Sequence, residues 1–335
     1  MSDFRVEVTR GGLVESIHRV SVAVADPAGH LLASAGDPGL VTYWRSAAKP
    51  FQAIPLVEDG VLERFGLGSE ELALACASHS SEMVHLAVAE RFLARIGCAE
   101  DDLACGPHPP LGSAVAREVA DRHTPLTPRW SNCSGKHAGM LALARAHGWP
   151  TGGYEQAGHP VQDRLLACVA AWTRVPAGQI VLGVDGCTTV CYGLSLQAMA
   201  GAYARLVTSD DSAARQVCEA MMRHPDLIAG TGRFCTEVMM ALPGEIVAKI
   251  GAEGVYSAGL PRAGLGIALK IEDGDMRSAP LALLGVLRQV LAATGSTRLS
   301  DAFERAWDRQ PIRNTRGQVT GESRAAGQLR FFALR

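Results

Sequence analysis

Hydrophobic positions follow two regimes along the chain. Over residues 5–35 they alternate: Val6 and Val8 lead to Gly11-Gly12, and Arg19-Val20-Ser21-Val22-Ala23-Val24 follows. Asp26-Pro27-Ala28-Gly29 then turns the chain into Leu31-Leu32-Ala33. Side chains of a strand point to opposite faces with a period of two, so this stretch predicts an antiparallel meander. From about 46 to 225 the apolar spacing lengthens to three and four residues. That predicts helices over Glu70 to Ala77, Glu82 to Ile96, Lys136 to His147, Pro160 to Trp172, Gln197 to Leu206 and Ala213 to Met222. One strand-like run, Gln179 to Val184, interrupts them. The β pattern returns at Glu245 to Ile250, at Val255-Tyr256 and at Gly264 to Ile271. A helix over Ala279 to Ala293 follows, and Arg313 to Gly321 adds a last strand.

Strands at both ends with helices between them predict an α+β fold. One antiparallel sheet is drawn from the N- and C-terminal strands, and the helical middle region packs over and beside it. No Pro/Ser/Gly-rich linker divides the chain, so residues 1–335 read as a single domain with a helical subregion over about 46–225.

The stretch Arg45-Ser46-Ala47-Ala48-Lys49-Pro50-Phe51-Gln52 joins the two regimes. Ser46 stands at the expected start of a helix and Lys49 three residues on, so their side chains share a face. A hydroxyl beside a neutral amine is a nucleophile with its base. Pro50 falls in the first turn, where its missing N–H costs least. The plain alternative is an N-cap serine and a solvated lysine.

Composition shifts that balance. The chain has 32 Lys and Arg residues, of which only Lys49, Lys136, Lys249 and Lys270 are lysine. A chain that uses Arg wherever a positive charge suffices keeps Lys where an amine must lose its proton or act as a compact charge. Lysines left over at random from an Arg-rich codon usage would scatter onto helix surfaces. These four instead stand beside Gly, Cys, Ser or apolar residues.

Two further elements accompany Ser46 and Lys49. Ser78-His79-Ser80 follows a predicted helix, and Lys249-Ile250-Gly251 ends a predicted strand, where the glycine permits close backbone approach. The order S-x-x-K, S-x-S, K-x-G is similar to that of serine β-lactamases and penicillin-recognising enzymes, although their middle element usually ends in Asn. A second cluster is Asn132-Cys133-Ser134-Gly135-Lys136-His137 with Val184-Asp185-Gly186-Cys187. Two thiols near an amine or imidazole can hold zinc, and equally can be two buried structural cysteines. Asp185 can pair with a substrate ammonium group or serve only as a turn residue before glycine.

Net charge is −2, which gives no basis for binding nucleic acid or an anionic membrane. No apolar run reaches membrane-spanning length. Met1-Ser2-Asp3-Phe4-Arg5 lacks the pattern of an export signal, and nine cysteines form no regular framework, so reduced thiols and a cytoplasmic location are expected.

Several stretches taken together resemble the asparaginase II family of the Rhizobium type. They are Val14-Glu15-Ser16-Ile17-His18, Tyr43 to Gln52, Cys76 to Ser80, Asn132 to His137, His159-Pro160-Val161-Gln162, Val184 to Cys187, Gly230-Thr231-Gly232-Arg233, Lys249 to Gly254 and Gly266 to Lys270. The resemblance implies a fold similar to serine β-lactamases and glutaminases, and an L-asparagine amidohydrolase as the activity. It implies two Ser–Lys pairs, Ser46 with Lys49 and Ser78 with Lys249, and one zinc per chain held by Cys133, Lys136 and Cys187. It also implies a polar lining of Arg45, His137, Asp185 and Arg233. The expected partners are the small-molecule substrate L-asparagine and a second copy of the chain in a homodimer. Departing from that family, which usually continues with Gly and Pro after Asp185-Gly186-Cys187, this chain has Thr188-Thr189-Val190-Cys191-Tyr192-Gly193. Rival readings are a β-lactamase-like acylase, a zinc hydrolase or deaminase using a metal-bound water, and a non-catalytic amino-acid sensor of the same fold.

Overall fold

The computed structural model describes residues 3–296 and 298–332. Met1 and Ser2, which open the N-terminal stretch read above, lie outside them. The chain forms two compact units, Met1–Ala47 with Leu194–Thr208 and Ala241–Arg335, and Ala48–Gly193 with Ser209–Met240.

The first unit is built on an antiparallel sheet whose strands come from both ends of the chain, as the alternation predicts. Its order is Arg309–Arg313, Val319–Gly327, Phe4–Arg10, Leu13–Ala25, Leu265–Ile271, Val255–Leu260, Val247–Gly251, with Leu31–Ala35 and Arg330–Phe331 pairing beside Leu13–Ala25. The termini meet where Val6 pairs with Ala325 and Val22 with Leu269. Leu265–Ile271 is buried at every position. Such a strand needs cover on both faces, and the helices Leu196–Thr208 and Ser278–Thr294 both pack against it. Gly266 permits the first of these contacts, because a Cβ there would lie 1.9 Å from the Ala200 carbonyl oxygen.

The tail differs from the expected single strand over Arg313 to Gly321. That stretch is the turn of a hairpin between Arg309–Arg313 and Val319–Gly327. The Asn314 side chain makes the turn by accepting from the amides of Arg316 and Gln318, both at 3.0 Å.

The second unit is the helical region. The helix Lys49–Glu58 is buried from Lys49 to Leu56 and packs against the helices Ser69–Ala75, Ser134–His147, Pro160–Thr173 and Ser212–Arg223. Pro55 lies inside it and cannot donate to the Phe51 carbonyl. The Cys168 thiol donates to that carbonyl instead, at 3.3 Å. Gly135 fits the start of the Ser134–His147 helix against the end of the Ser69–Ala75 helix. A Cβ there would lie 2.2 Å from the Leu74 carbonyl oxygen.

The strand-like run after residue 179 is not alone. Val181–Val184 pairs with Val190–Ser195, with Val184 opposite Val190. The partner strand is buried from Val190 to Leu194 and so carries no alternation to read. Asp185 to Thr189 is therefore a hairpin turn. Among the described residues, no helix is long and apolar enough to cross a membrane.

Candidate active site

All four lysines are buried. Lys49 and Lys249 are wholly inaccessible, Lys136 is 4% exposed and Lys270 9%. This matches the compositional argument, since lysines placed at random should stay in water.

In the first unit, Trp44 to Ala47 is held tightly. The Trp44 indole N–H donates to Ser257 Oγ at 3.0 Å, and the Tyr203 hydroxyl donates to the Ala47 carbonyl at 2.8 Å. Ser46 lies in the single 3-10 turn Arg45–Ala48 rather than in the α-helix, which starts at Lys49. Arg45 adopts φ +53°, a strained value for a side-chain-bearing residue. Lys249 lies opposite Ser257 in the sheet and so shares its face. Gly251, two residues on, points the same way. A Cβ on Gly251 would lie 2.8 Å from the Trp44 carbonyl and 3.2 Å from Arg45 Cβ. The K-x-G strand thus runs beside the Ser46 turn, as its form suggested. The other candidate, Lys270, has its amine on the carbonyls of Glu253, at 2.7 Å, and Ile271. Lys249 Nζ lies 2.8 Å from the Ile250 carbonyl.

In the second unit, Lys49 Nζ lies 2.5 Å from the Ala77 carbonyl, 3.1 Å from Ser78 Oγ and 3.1 Å from Cys133 Sγ. Three partners match an ammonium that donates to all of them. They equally match a neutral amine that donates to Ala77 and Cys133 and accepts from the Ser78 hydroxyl.

Ser78 is fixed by its backbone. Its N–H donates to the Ile228 carbonyl at 2.9 Å, and Arg233 Nη1 donates to its carbonyl and, at 3.2 Å, to that of Ala229. Arg233, expected in the substrate lining, thus grips the backbone that carries Ser78. The next residue, His79, faces Ser134 Oγ at 2.9 Å and stacks on His85 with ring centroids 5.1 Å apart. Burial, then the neighbouring His85, holds the His79 pKa well below the usual imidazole value.

Cys133 stands at the position just before the Ser134–His147 helix, and Lys136 and His137 occupy its first turn. Lys136 Nζ lies 2.9 Å from Cys187 Sγ. Cys187 is held down to about 5, first by its interaction with the Cys133 thiol and then by the Lys136 charge, against the opposing effect of burial. Cys133, whose thiol donates to Asn132 Oδ1 at 3.3 Å, is pushed up to about 12 by its interaction with Cys187 and by burial. Burial alone would lower the Lys136 pKa, but the two sulfurs outweigh it and raise it.

One connected set was not anticipated. The Tyr154 hydroxyl meets His137 Nδ1 at 2.7 Å and accepts from the Ala104 N–H at 2.9 Å. The Thr188 hydroxyl donates to the Ala104 carbonyl at 3.0 Å. Gln162 donates to the Tyr154 carbonyl at 2.8 Å. The His159-Pro160-Val161-Gln162 stretch was the signal for this set, since a buried Gln closing a helix-start motif must find a partner.

The profile of L-asparaginase II matches residues 6–325. The chain belongs to the L-asparaginase II family. As a member of that family it is an amidohydrolase. No curated protein matches the chain. Among solved structures it is similar to a β-lactamase (Mb2281c) from Mycobacterium bovis, with 16% identity over 80% of this chain and 93% of that one, at a TM-score of 0.41. It is also similar to Mglu in its native form in 4.3 M NaCl, with 16% identity over 88% of this chain and 66% of that one, at a TM-score of 0.43. A putative β-lactamase from Bacteroides dorei shares 13% identity over 75% of this chain and 84% of that one, at a TM-score of 0.39.

In this asparaginase II chain, the hairpin that carries Asp185 and Cys187 has an unusual residue. Thr188 adopts φ +75°, the left-handed region that favours glycine in such turns. Its one hydroxyl hydrogen is shared between the Cys187 carbonyl at 2.5 Å and that of Ala104, contacts that accompany a strained conformation of a β-branched residue. Asp185 Oδ1 accepts from the Gly186 N–H at 2.8 Å.

Among the described residues, no group of three or more His, Cys, Asp and Glu is arranged to hold a metal. Cys133 and Cys187 supply two such ligands and Lys136 an amine. Two sulfurs and an amine gathered in one buried cluster are a donor set of the kind zinc takes once both thiols and the amine have lost their protons.

Proposed function

We propose that this amidohydrolase acts on L-asparagine, releasing L-aspartate and ammonia, with Ser46 as nucleophile, Lys49 as its base, and Ser78 with Lys249 as the second pair. The observation that supports a serine–lysine site is the Lys49 amine, fully buried and 3.1 Å from the Ser78 hydroxyl; the pairing of Lys49 with Ser46 rests on the S-x-x-K spacing and the family resemblance. A serine–lysine contact shielded from water suits proton transfer, whereas a surface role would leave the amine solvated.

In this mechanism Ser46 Oγ attacks the side-chain carbonyl carbon as its proton passes to neutral Lys49. Backbone N–H groups at the start of the adjoining helix stabilise the oxyanion. The C–N bond then breaks while a proton delivered through Ser78 goes to the departing nitrogen, leaving ammonia and an ester on Ser46. Lys249 tunes the Ser78 hydroxyl. Water attacks the ester, Lys49 takes its proton, and aspartate leaves as Ser46 is reprotonated.

Asp185 is assigned to the α-ammonium group and Arg45 to the α-carboxylate, with His137 as a further polar contact. Arg233 acts through Ser78, by gripping its carbonyl. Cys133, Lys136 and Cys187 are assigned one zinc ion, which when bound supplies a mild Lewis acid that orients the substrate. The assembly is taken to be a homodimer.

Ammonia release from a panel of amides tests the reading. L-asparagine is expected to be turned over, with L-glutamine much poorer, because one extra methylene displaces the amide from the nucleophile. Faster turnover of glutamine or of a peptide amide would refute the specificity. Binding of asparagine without turnover would favour the sensor.

A further inference from the structure

We infer that Tyr154 is a positioning residue that fixes His137 in the Nε2–H tautomer, making its buried Nε2–H a hydrogen-bond donor to an oxygen of the bound ligand. The imidazole of His137 is wholly buried, and its Nε2 has no hydrogen-bond partner among the described residues. A buried polar atom left unpaired is costly, which makes this Nε2 a place where a ligand atom gains by pairing.

Hydrogen-bond counting assigns the tautomer. Tyr154 is itself buried, and its oxygen accepts from the Ala104 N–H at 2.9 Å. Among the described residues, its other hydrogen-bond partner is His137 Nδ1 at 2.7 Å. If Nδ1 carried the proton, two N–H groups would point at the phenol oxygen, and the phenol hydrogen would have no acceptor. With the phenol hydrogen donated to Nδ1, the phenol, the Ala104 N–H and Nδ1 are all paired and the imidazole proton sits on Nε2. The unsatisfied demand of the imidazole is then one donor, Nε2–H, which an oxygen acceptor answers and a cation does not.

The arrangement is built, not incidental. Ala104 is clamped on both sides, its N–H on Tyr154 and its carbonyl on the Thr188 hydroxyl at 3.0 Å. Gln162 fixes the Tyr154 backbone at 2.8 Å. The ring of Tyr154 stands edge-on to His137 with centroids 5.5 Å apart. Loop, hairpin and helix therefore converge on the orientation of one phenol. The tautomer follows from these contacts alone. That the acceptor is a carbonyl or carboxylate oxygen of an amino-acid amide rests on the asparaginase reading.

The test is nitrogen NMR of the protein as purified, labelled with 15N-histidine and assigned with His137→Gln. The expected spectrum has a protonated Nε2 and a hydrogen-bonded, unprotonated Nδ1 for His137. Saturating L-aspartate should shift Nε2 while leaving the tautomer in place. Tyr154→Phe should remove the hydrogen-bond signature at Nδ1 and raise KM about tenfold with a smaller change in kcat. A wild-type His137 protonated at Nδ1 overturns the inference, as does Tyr154→Phe with unmoved His137 nitrogens. If Tyr154→Phe does not fold, the wild-type spectrum alone decides. The expected tautomer in a protein that turns over no amide would refute the asparaginase reading and leave the role of Tyr154 standing.

Discussion

The Lys49 amine touches the Ser78 hydroxyl and the Cys133 sulfur at the same distance, 3.1 Å. One side chain thus joins Ser78 to the cysteine cluster. Both contacts are direct, and both lie in a wholly buried setting where hydrogen bonds are strong and misplaced groups are costly.

Lys49→Arg is expected to lower ammonia release at least a hundredfold, about the worth of a general base. Arginine keeps the charge but stays protonated, and its broad guanidinium cannot meet three partners arranged around a point. Ser46→Ala and Ser78→Ala should each be nearly as damaging. Groups that act as one unit are not additive, so doubling Lys49→Arg with Ser46→Ala should cost little more than either alone. Steady-state ammonia release, with circular dichroism as a folding control, is the measurement. Retention of more than about a tenth of the rate in Lys49→Arg, a barrier change under about 1.4 kcal/mol, would remove Lys49 as the base.

Purified protein without a histidine tag is expected to carry about one zinc per chain by elemental analysis, and Cys133→Ala or Cys187→Ala should lose it. Metal-free protein with full activity in chelator would remove zinc from the mechanism.

Gly135→Ala should destabilise the fold by about 3 kcal/mol, because the new methyl meets a backbone carbonyl that cannot step aside. Gly152→Ala is the control, since a Cβ there has nothing within 4 Å. Urea unfolding of the two variants measures the difference. Equal midpoints would show that the two helices separate readily.

Thr188→Gly is expected to be more stable than Thr188→Ala by about 1 kcal/mol. Both lose the hydroxyl bonds to Ala104 and Cys187, so their difference isolates the left-handed backbone at φ +75°. Thermal unfolding reads it, and a Thr188→Ala protein as stable as Thr188→Gly would argue against strain at this turn.

Stability should fall as pH drops below about 6.5. His79 and His85 both have pKa values depressed by burial. Their unfolded forms take up a proton near pH 6.5 while the folded protein does not, so the unfolded state binds more protons as pH falls. Each such histidine removes up to about 1.4 kcal/mol per pH unit. Denaturant midpoints from pH 7.5 to 5.5 should decline, with a shallower slope in His79→Gln. A flat profile would mean that these imidazoles reach water.

The sequence by itself determined the α+β class, the origin of the sheet in both termini, most helices, and the setting of the four lysines away from water. Each rests on a local signal: a period of two or of 3.6, a turn residue, or an amine kept in a chain that otherwise uses arginine. It also singled out Cys133, Lys136 and Cys187, whose side chains do gather. Only the tertiary structure decided which partner each group finds. That Lys49 meets Ser78 and Cys133, 29 and 84 residues away, depends on how Gly135 lets two helices close up. That Arg233 holds the Ser78 backbone, and that Tyr154 meets His137, depends on loops with no periodicity to read. A hydrogen bond needs two groups within about 3 Å at a set angle. Spacing along the chain supplies that geometry only within one helix or strand, and between elements packing alone supplies it.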